Sequence, residues 1–234
     1  MINIIRKVIN YFHFDIKRYP SSDLRRRKKL FKYFGINKIL DVGANNGQYA
    51  LQIFELGFDG KIISFEPIKS VYNELYNKTS TNKNWEAYNF GLGDKNENNT
   101  INISENIVSS SLLDIMPNHI EGAPESKVIK TETIEIKTLD SVYNNIVNEE
   151  DQVLLKIDVQ GFEKKVIKGA LKIMPNIKGI QIEMSLEELY KGEMLFEETI
   201  SLLSSLGFEL HSLENGLYNN DSGKLLQVDG IFFR

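Results

Sequence analysis

Short apolar runs recur along most of the chain and alternate with stretches of helical periodicity. The runs at 38–43 (KILDVG), 61–66 (KIISFE), 85–90, 153–158, 178–184, 208–213 and 225–233 predict seven strands. Amphipathic stretches at 47–57, 69–79, 138–147, 162–174 and 196–206 predict helices between them. Such alternation specifies a Rossmann-like α/β fold, a seven-stranded, mostly parallel sheet with helices on both faces. Residues 92–137 break the rhythm, with alternating segments near 99–103 and 127–136 around a polar loop. They predict a β-rich insertion before strand four, lying over the carboxyl edge of the sheet, where loops build ligand sites.

Two helices are predicted ahead of the first strand. Ile2, Ile5, Ile9 and Phe12 share one helical face, with Arg6 and Lys7 between them. The second helix begins near Asp23 as N-cap, carries the stripe Leu24, Leu30, Phe31 and Phe34, and stops at Gly35. The chain thus divides into a basic helical extension, 1–37, and a main domain, 38–234.

Charge sharpens that division. Residues 1–38 hold 11 of the 28 Lys and Arg but only 2 of the 32 Asp and Glu, a net of +9 that leaves −13 for the remainder. The run Arg25 to Lys29 reads as a solvated face or as a peripheral contact of residues 1–37 with an anionic membrane surface. The apolar stripe of the same helix would equally serve packing on the domain or in a homodimer. An acidic body disfavours nucleic acid as a partner, since phosphates must be neutralised across the contact face. With no cysteine, disulfides, thiolate nucleophiles and Cys-ligated metals are excluded. No run approaches the roughly 18 apolar residues of a membrane span, and Arg6 and Lys7 sit inside the first apolar stretch, unlike a secretory signal. These features suit a cytoplasmic protein, free or at the inner face of a membrane.

Candidate chemistry collects at predicted strand ends. Asp41-Val42-Gly43-Ala44-Asn45-Asn46-Gly47-Gln48 follows an apolar strand and opens a helix, so its glycines either make a tight turn or admit a ligand to free backbone N–H groups. Asn45 breaks the dinucleotide GxGxxG pattern, and no Gly-Lys-Ser/Thr follows. Strand two ends in Glu66-Pro67, an acid 25 residues beyond Asp41. Such an acid can accept both hydroxyls of a ribose, or it can cap the next helix. Lys156 and Asp158 project to one face at the end of strand four, as an ion pair or as reactive groups. Glu183 ends the neighbouring strand and should converge with Asp158. The two carboxylates could hold Mg²⁺ or supply a base, and the second reading, without metal, is preferred. Of three histidines, His119 alone falls in the insertion, where an exposed loop residue is expected ahead of a general base. Ser109, Ser110 and Ser111, with Asn106 and Asn118, offer neutral groups that suit sugar hydroxyls or a plain polar loop.

DVGANNGQ (41–48), FEP (65–67), GLGD (91–94), LKIDVQGFE (155–163), IEMS (182–185) with LY (189–190), and VDGIFFR (228–234) occur in order. In this set the chain resembles the FkbM-type family of class I S-adenosylmethionine-dependent methyltransferases, from about residue 38 to the C-terminus. The resemblance implies S-adenosyl-L-methionine as cofactor, with Asp41, Gly43, Asn45 and Gly47 around its methionine part. It places Glu66 with Pro67 at the ribose, Asn89, Phe90 and Gly91 near the adenine, and Asp158 beside the transferred methyl. The catalytic candidates are Asp158, Lys156, Glu183 and His119. Asp158-Val159-Gln160 stands where nucleobase amino-methyltransferases carry Asn-Pro-Pro or Asp-Pro-Pro, which favours an oxygen acceptor. The family points to a hydroxyl of a sugar in a glycan or glycosylated natural product. A non-catalytic protein of the same fold and an RNA-modifying enzyme are the alternatives.

Overall fold

The computed structural model describes residue 11 and residues 19–234. The first predicted helix, on Ile2, Ile5, Ile9 and Phe12, lies outside the described residues except at position 11, and His13 lies outside them too.

The main sheet has seven strands in the order β3-β2-β1-β7-β8-β10-β9. They are β1 (Lys38–Val42), β2 (Lys61–Phe65), β3 (Trp85–Tyr88), β7 (Val153–Ile157), β8 (Ile177–Ser185), β9 (Glu209–Asn215) and β10 (Gln227–Phe233). Only β10 runs antiparallel to its neighbours, so the ends of β1, β2, β7, β8 and β9 share one edge. All seven predicted strands are present.

Period-two alternation sends successive β1 residues to opposite faces. Leu40 and Val42 pack with Leu155 and Ile157 against α5 (Leu139–Ile146), α6 (Glu163–Lys168) and α7 (Phe196–Ser205). Ile39 packs with Ile62, Leu154 and Phe233 against α1 (Ser22–Tyr33), α2 (Gln48–Glu55) and α3 (Lys69–Thr79). Both faces are therefore apolar, and the strands read as nearly unbroken hydrophobic runs.

The predicted helix 162–174 is shorter than its pattern: α6 stops at Lys168. A Cβ at Gly169 would lie 1.9 Å from the Gly93 carbonyl oxygen, so the chain leaves the helix where it crosses another backbone. Helix α1 is capped by Ser21, whose side chain accepts from the Leu24 N–H, and Asp23 sits in its first turn. Gly35 ends it at φ +66°, as its sequence position predicts.

Helix α1 shares the core of the main domain. Leu24 and Phe31 are buried, Leu30 and Phe34 are half-buried, and Phe34 stacks on Phe233 at 4.0 Å. The basic run is split by this packing. Arg25, Arg26, Lys28 and Lys29 are exposed, whereas Arg27 is buried and paired with Glu214 of β9.

The insertion forms a second sheet, β4-β6-β5, from β4 (Gly91–Leu92), β5 (Glu97–Ser104) and β6 (Val128–Lys137). Between β5 and β6 lies α4 (Pro117–Gly122), which the polar loop did not announce. Ile101, Ile103, Ile134 and Ile136 form a small core with Ile68 and Val71 at the start of α3.

Candidate active site

A cavity of about 570 Å³ opens at the carboxyl edge of β1, β2, β7 and β8, bounded by the insertion. Gly43, Asn45, Glu66, Pro67, Gly91, Lys156, Asp158, Glu183 and His119 all lie on its wall. Asp41, Gly47, Asn89 and Phe90 do not, and their roles are supporting ones.

The β1–α2 turn needs its glycines. Gly43 lies at φ +75°, and a Cβ there would fall 1.8 Å from the Asp158 carbonyl oxygen. Strand ends β1 and β7 thus approach as closely as backbones can. Gly47, at φ +87°, sits against the Trp85 ring, which fills the space a side chain would take. Asn45 also takes a left-handed conformation, which its side chain tolerates better than most.

Beneath this turn Asp41 is fully buried. It accepts from the Ser64 hydroxyl at 3.1 Å and pairs with Lys156 Nζ at 3.2 Å. Lys156 also donates to the Gly43 carbonyl at 3.2 Å and stands 3.5 Å from Asp158 Oδ2. Burial alone would lower its pKa, but Asp41 and Asp158 hold it above the ordinary range. Lys156 is a fixed cation that fastens the turn to β7.

Glu66 does not cap α3, which has no side-chain cap; it joins two turns beside the cavity. Its carboxylate accepts from the Asn45 N–H at 3.0 Å and from the Ile68 N–H at 2.8 Å, tying together the turns after β1 and β2. Each oxygen retains a lone pair for a ligand hydroxyl. Asn89 donates to the Glu66 and Pro67 carbonyls at 3.0 Å and so braces the second turn from behind. Phe90 packs in the core against Phe65, 5.5 Å between ring centres.

Asp158 is half-exposed, its side chain 38% accessible. Glu183 lies deeper, where burial first and then the charges of Asp158, Asp229 and Glu163 push its pKa well above the ordinary range. Two amides serve it: Gln160 Nε2 at 2.8 Å and Gln227 Nε2 at 3.0 Å. Neighbouring carboxyl groups with unlike environments are an acid–base arrangement.

His119 is not an exposed loop residue. It lies in α4 with 1% of its surface accessible, its Nδ1 without a hydrogen-bond partner and its ring edge-on to Tyr190 at 4.9 Å. Burial lowers its pKa to about 4, so it is neutral near pH 7. Asn106, Ser109, Ser110 and Ser111 continue this uncharged wall. Asn118 faces away and donates to the Glu188 carbonyl at 2.9 Å. Among the described residues no group of three or more His, Asp or Glu is placed to hold a metal ion.

Sequence reasoning gives no role to Gln160, Tyr190, Gln227 or Asp229, and Arg27, expected on a solvated or membrane-facing run, is instead buried against Glu214. An acid inside the apolar run VDGIFF was the available signal for Asp229, which faces Glu183 in the β8–β10 register.

These buried acids set a pH dependence. Glu66 and Glu163 are raised to about 7 and Asp229 to about 6, each by burial first. The stability they contribute is complete below the ordinary carboxyl range and is lost as pH rises through their folded values. His119 acts oppositely, losing its contribution as pH falls from 6.5 toward 4. With more raised acids than lowered bases, the ligand-free protein is expected to lose stability between about pH 5 and 7. The slope is about 1.4 kcal/mol per pH unit for each unbalanced proton. Urea unfolding at pH 5, 6 and 7 measures it, and a steady rise in stability with pH would contradict it.

No curated protein sequence matches the chain significantly. Among solved structures, it superposes on a TehB-like S-adenosylmethionine-dependent methyltransferase from Corynebacterium glutamicum at 12% identity and TM-score 0.43, covering all of this chain and 96% of that one. An rRNA methylase from Streptococcus thermophilus gives 10% identity and TM-score 0.43, over 85% of this chain and 87% of the other. Fibrillarin from Aeropyrum pernix, crystallised with S-adenosyl-L-methionine, gives 12% and 0.45, over 83% and 66%. The Methyltransferase FkbM domain matches residues 41–210, which include the ends of β1, β2, β7 and β8 at the cavity and leave out α1. The chain belongs to the FkbM methyltransferase family, and its methyl donor is S-adenosylmethionine.

Proposed function

We propose that the protein methylates a hydroxyl oxygen of an uncharged sugar, in a glycan or a glycosylated natural product. The observation that carries this reading is the half-exposed Asp158 carboxylate beside the buried Glu183, next to a wall of serine hydroxyls, an asparagine amide and a neutral imidazole. Such a wall pairs with hydroxyl groups without demanding charge.

The cavity suits the cofactor. Glu66 keeps acceptor capacity for a ribose diol, and Asp158, Glu183 and Asp229 surround the far end with carboxyl groups that favour a cation. When bound, S-adenosylmethionine supplies a methyl group on a cationic sulfur that departs as a neutral thioether. Asp158, beside Lys156, takes the proton of the acceptor hydroxyl as the new bond to oxygen forms. Glu183, whose pKa burial raises, lies beside it and is held in place by the Gln160 and Gln227 amides. The turns at Gly43 and Glu66 hold these groups at fixed distances, so positioning supplies much of the rate.

Glu66→Ala is expected to weaken S-adenosylmethionine binding by about 1 to 3 kcal/mol, the cost of leaving buried hydrogen-bonding groups without their partner. Calorimetry reads this directly, and unchanged affinity would remove Glu66 from the site. The acceptor assignment is tested with methyl-labelled S-adenosylmethionine against uncharged oligosaccharides, phenols and RNA. Label in the sugars supports it. Label in RNA alone, or binding without transfer to any acceptor, replaces it.

Location and partners follow the same reading. No helix among the described residues is long and apolar enough to cross a membrane. The exposed bases Arg25, Arg26, Lys28 and Lys29 of α1 support a salt-sensitive contact with an anionic membrane near a lipid-linked glycan.

A further inference from the structure

The turn after β7 carries Gln160 in a left-handed conformation, φ +55°, which residues other than glycine seldom adopt. The insertion holds it there: the Ser111 hydroxyl donates to the Gln160 carbonyl at 2.5 Å. Its side chain then reaches both acids of the site, with Nε2 at 2.8 Å from Asp158 Oδ1 and 2.8 Å from Glu183 Oε2. At the other end of the amide, the Tyr190 hydroxyl donates to Oε1 at 2.6 Å. Tyr190 is fully buried, and a Cβ on Gly161 would lie 2.6 Å from the tyrosine Cβ, so the tyrosine packs directly on the backbone of this turn.

A primary amide can turn over and present oxygen where it presented nitrogen. Tyr190 opposes that turn, because its hydroxyl lies 2.6 Å from Oε1, nearer than the 3.3 Å to the Ser109 carbonyl it also faces, and a proton given to Oε1 leaves both N–H groups for the carboxylates. We propose that Tyr190 locks the Gln160 amide with its N–H groups toward Asp158 and Glu183, and that the two are positioning residues that hold Asp158 as proton acceptor. The catalytic half of this statement rests on the role given to Asp158 above; the lock itself does not.

A turned amide would bring Oε1 against two carboxyl groups and would be accommodated only with an added proton between them. The lock therefore favours the deprotonated pair, since a donor stabilises the charged form. Other groups face the pair from each neighbouring element. Lys156 on β7 stands beside Asp158 and joins it to Asp41 of β1. Gln227 and Asp229 approach from β10, Gln227 by a bond to Glu183. Glu163 at the start of α6 accepts from Val159 and Gly161 N–H groups, and Glu193 accepts from those of Leu189 and Tyr190. His119 of α4 borders the same cavity and meets the Tyr190 ring.

The test follows side-chain carboxyl ¹³C signals of the full, ligand-free chain through a pH titration, with Asp158→Asn and Glu183→Gln as assignments. Tyr190→Phe keeps the ring and removes only the donor. Its titration midpoint for the pair is expected to rise by about one pH unit, the scale of one hydrogen bond. Gln160→Met, similar in shape but without N–H groups, is expected to raise it further. Unmoved midpoints in both variants overturn the proposal. Should neither variant fold, the Gln160 side-chain ¹⁵N signals of the unaltered protein must shift with the same midpoints, and a flat response overturns it equally. Neither methyl donor nor acceptor enters this measurement. A failed acceptor assay would therefore sink the proposed O-methylation while leaving the lock standing.

Discussion

Asp158→Asn is expected to lower turnover by about 10² to 10⁴-fold, the usual share of a general base. The change keeps the shape of the side chain, and Lys156 retains Asp41 and the Gly43 carbonyl, so the turn that shapes the cofactor end stays in place. S-adenosylmethionine affinity should consequently fall far less than turnover. Single-turnover rates beside calorimetric affinities separate the two quantities. Equal losses in both would make Asp158 a cofactor ligand and nothing more.

Arg27→Met should have the largest effect on stability. Arg27 and Glu214 have side chains only 6% and 8% accessible, and they join α1 to the far edge of the sheet. Removing the guanidinium leaves a buried carboxylate without its counter-charge, which costs about 3 to 5 kcal/mol. A second change, Glu214→Gln, should restore much of the loss by removing the stranded charge. Urea unfolding of the single and double variants tests both statements, and a single-variant loss under about 1 kcal/mol would show the pair to be solvated. By the same logic, deleting residues 1–35 strips Leu24, Phe31 and the Phe34–Phe233 stack from the core, so the shortened chain is expected to unfold before its cofactor binding can be measured.

The strands were legible because both faces of the sheet are covered, making each strand a compact apolar run between turn residues. Gly43, Glu66, Asp158 and Glu183 were legible because they interrupt or end those runs at one edge. Arg27 was hidden in a row of five basic residues, and only the docking angle of α1 decides which of them faces inward. His119 was read as a loop residue because its burial depends on Tyr190, 71 positions away. Gln160 was visible in DVQG without a function, since its two carboxylate partners and its tyrosine come together only through the crossing of β7, β8 and the segment after β8.

The insertion has its own small core of isoleucines, set on the start of α3 and separate from the two large apolar layers of the main sheet. Selection can therefore act on the two halves at different speeds. Apart from Ser111 and the positions packed on Tyr190, residues 105–127 can exchange side chains, or lengthen, while the strand register beneath them stays as it is. The charged groups at the sheet edge have no such freedom, because each is tied to a neighbouring turn. Relatives of this chain should accordingly differ in what they methylate before they differ in how they hold the donor, and a transplant of this segment between two of them should carry acceptor preference with it.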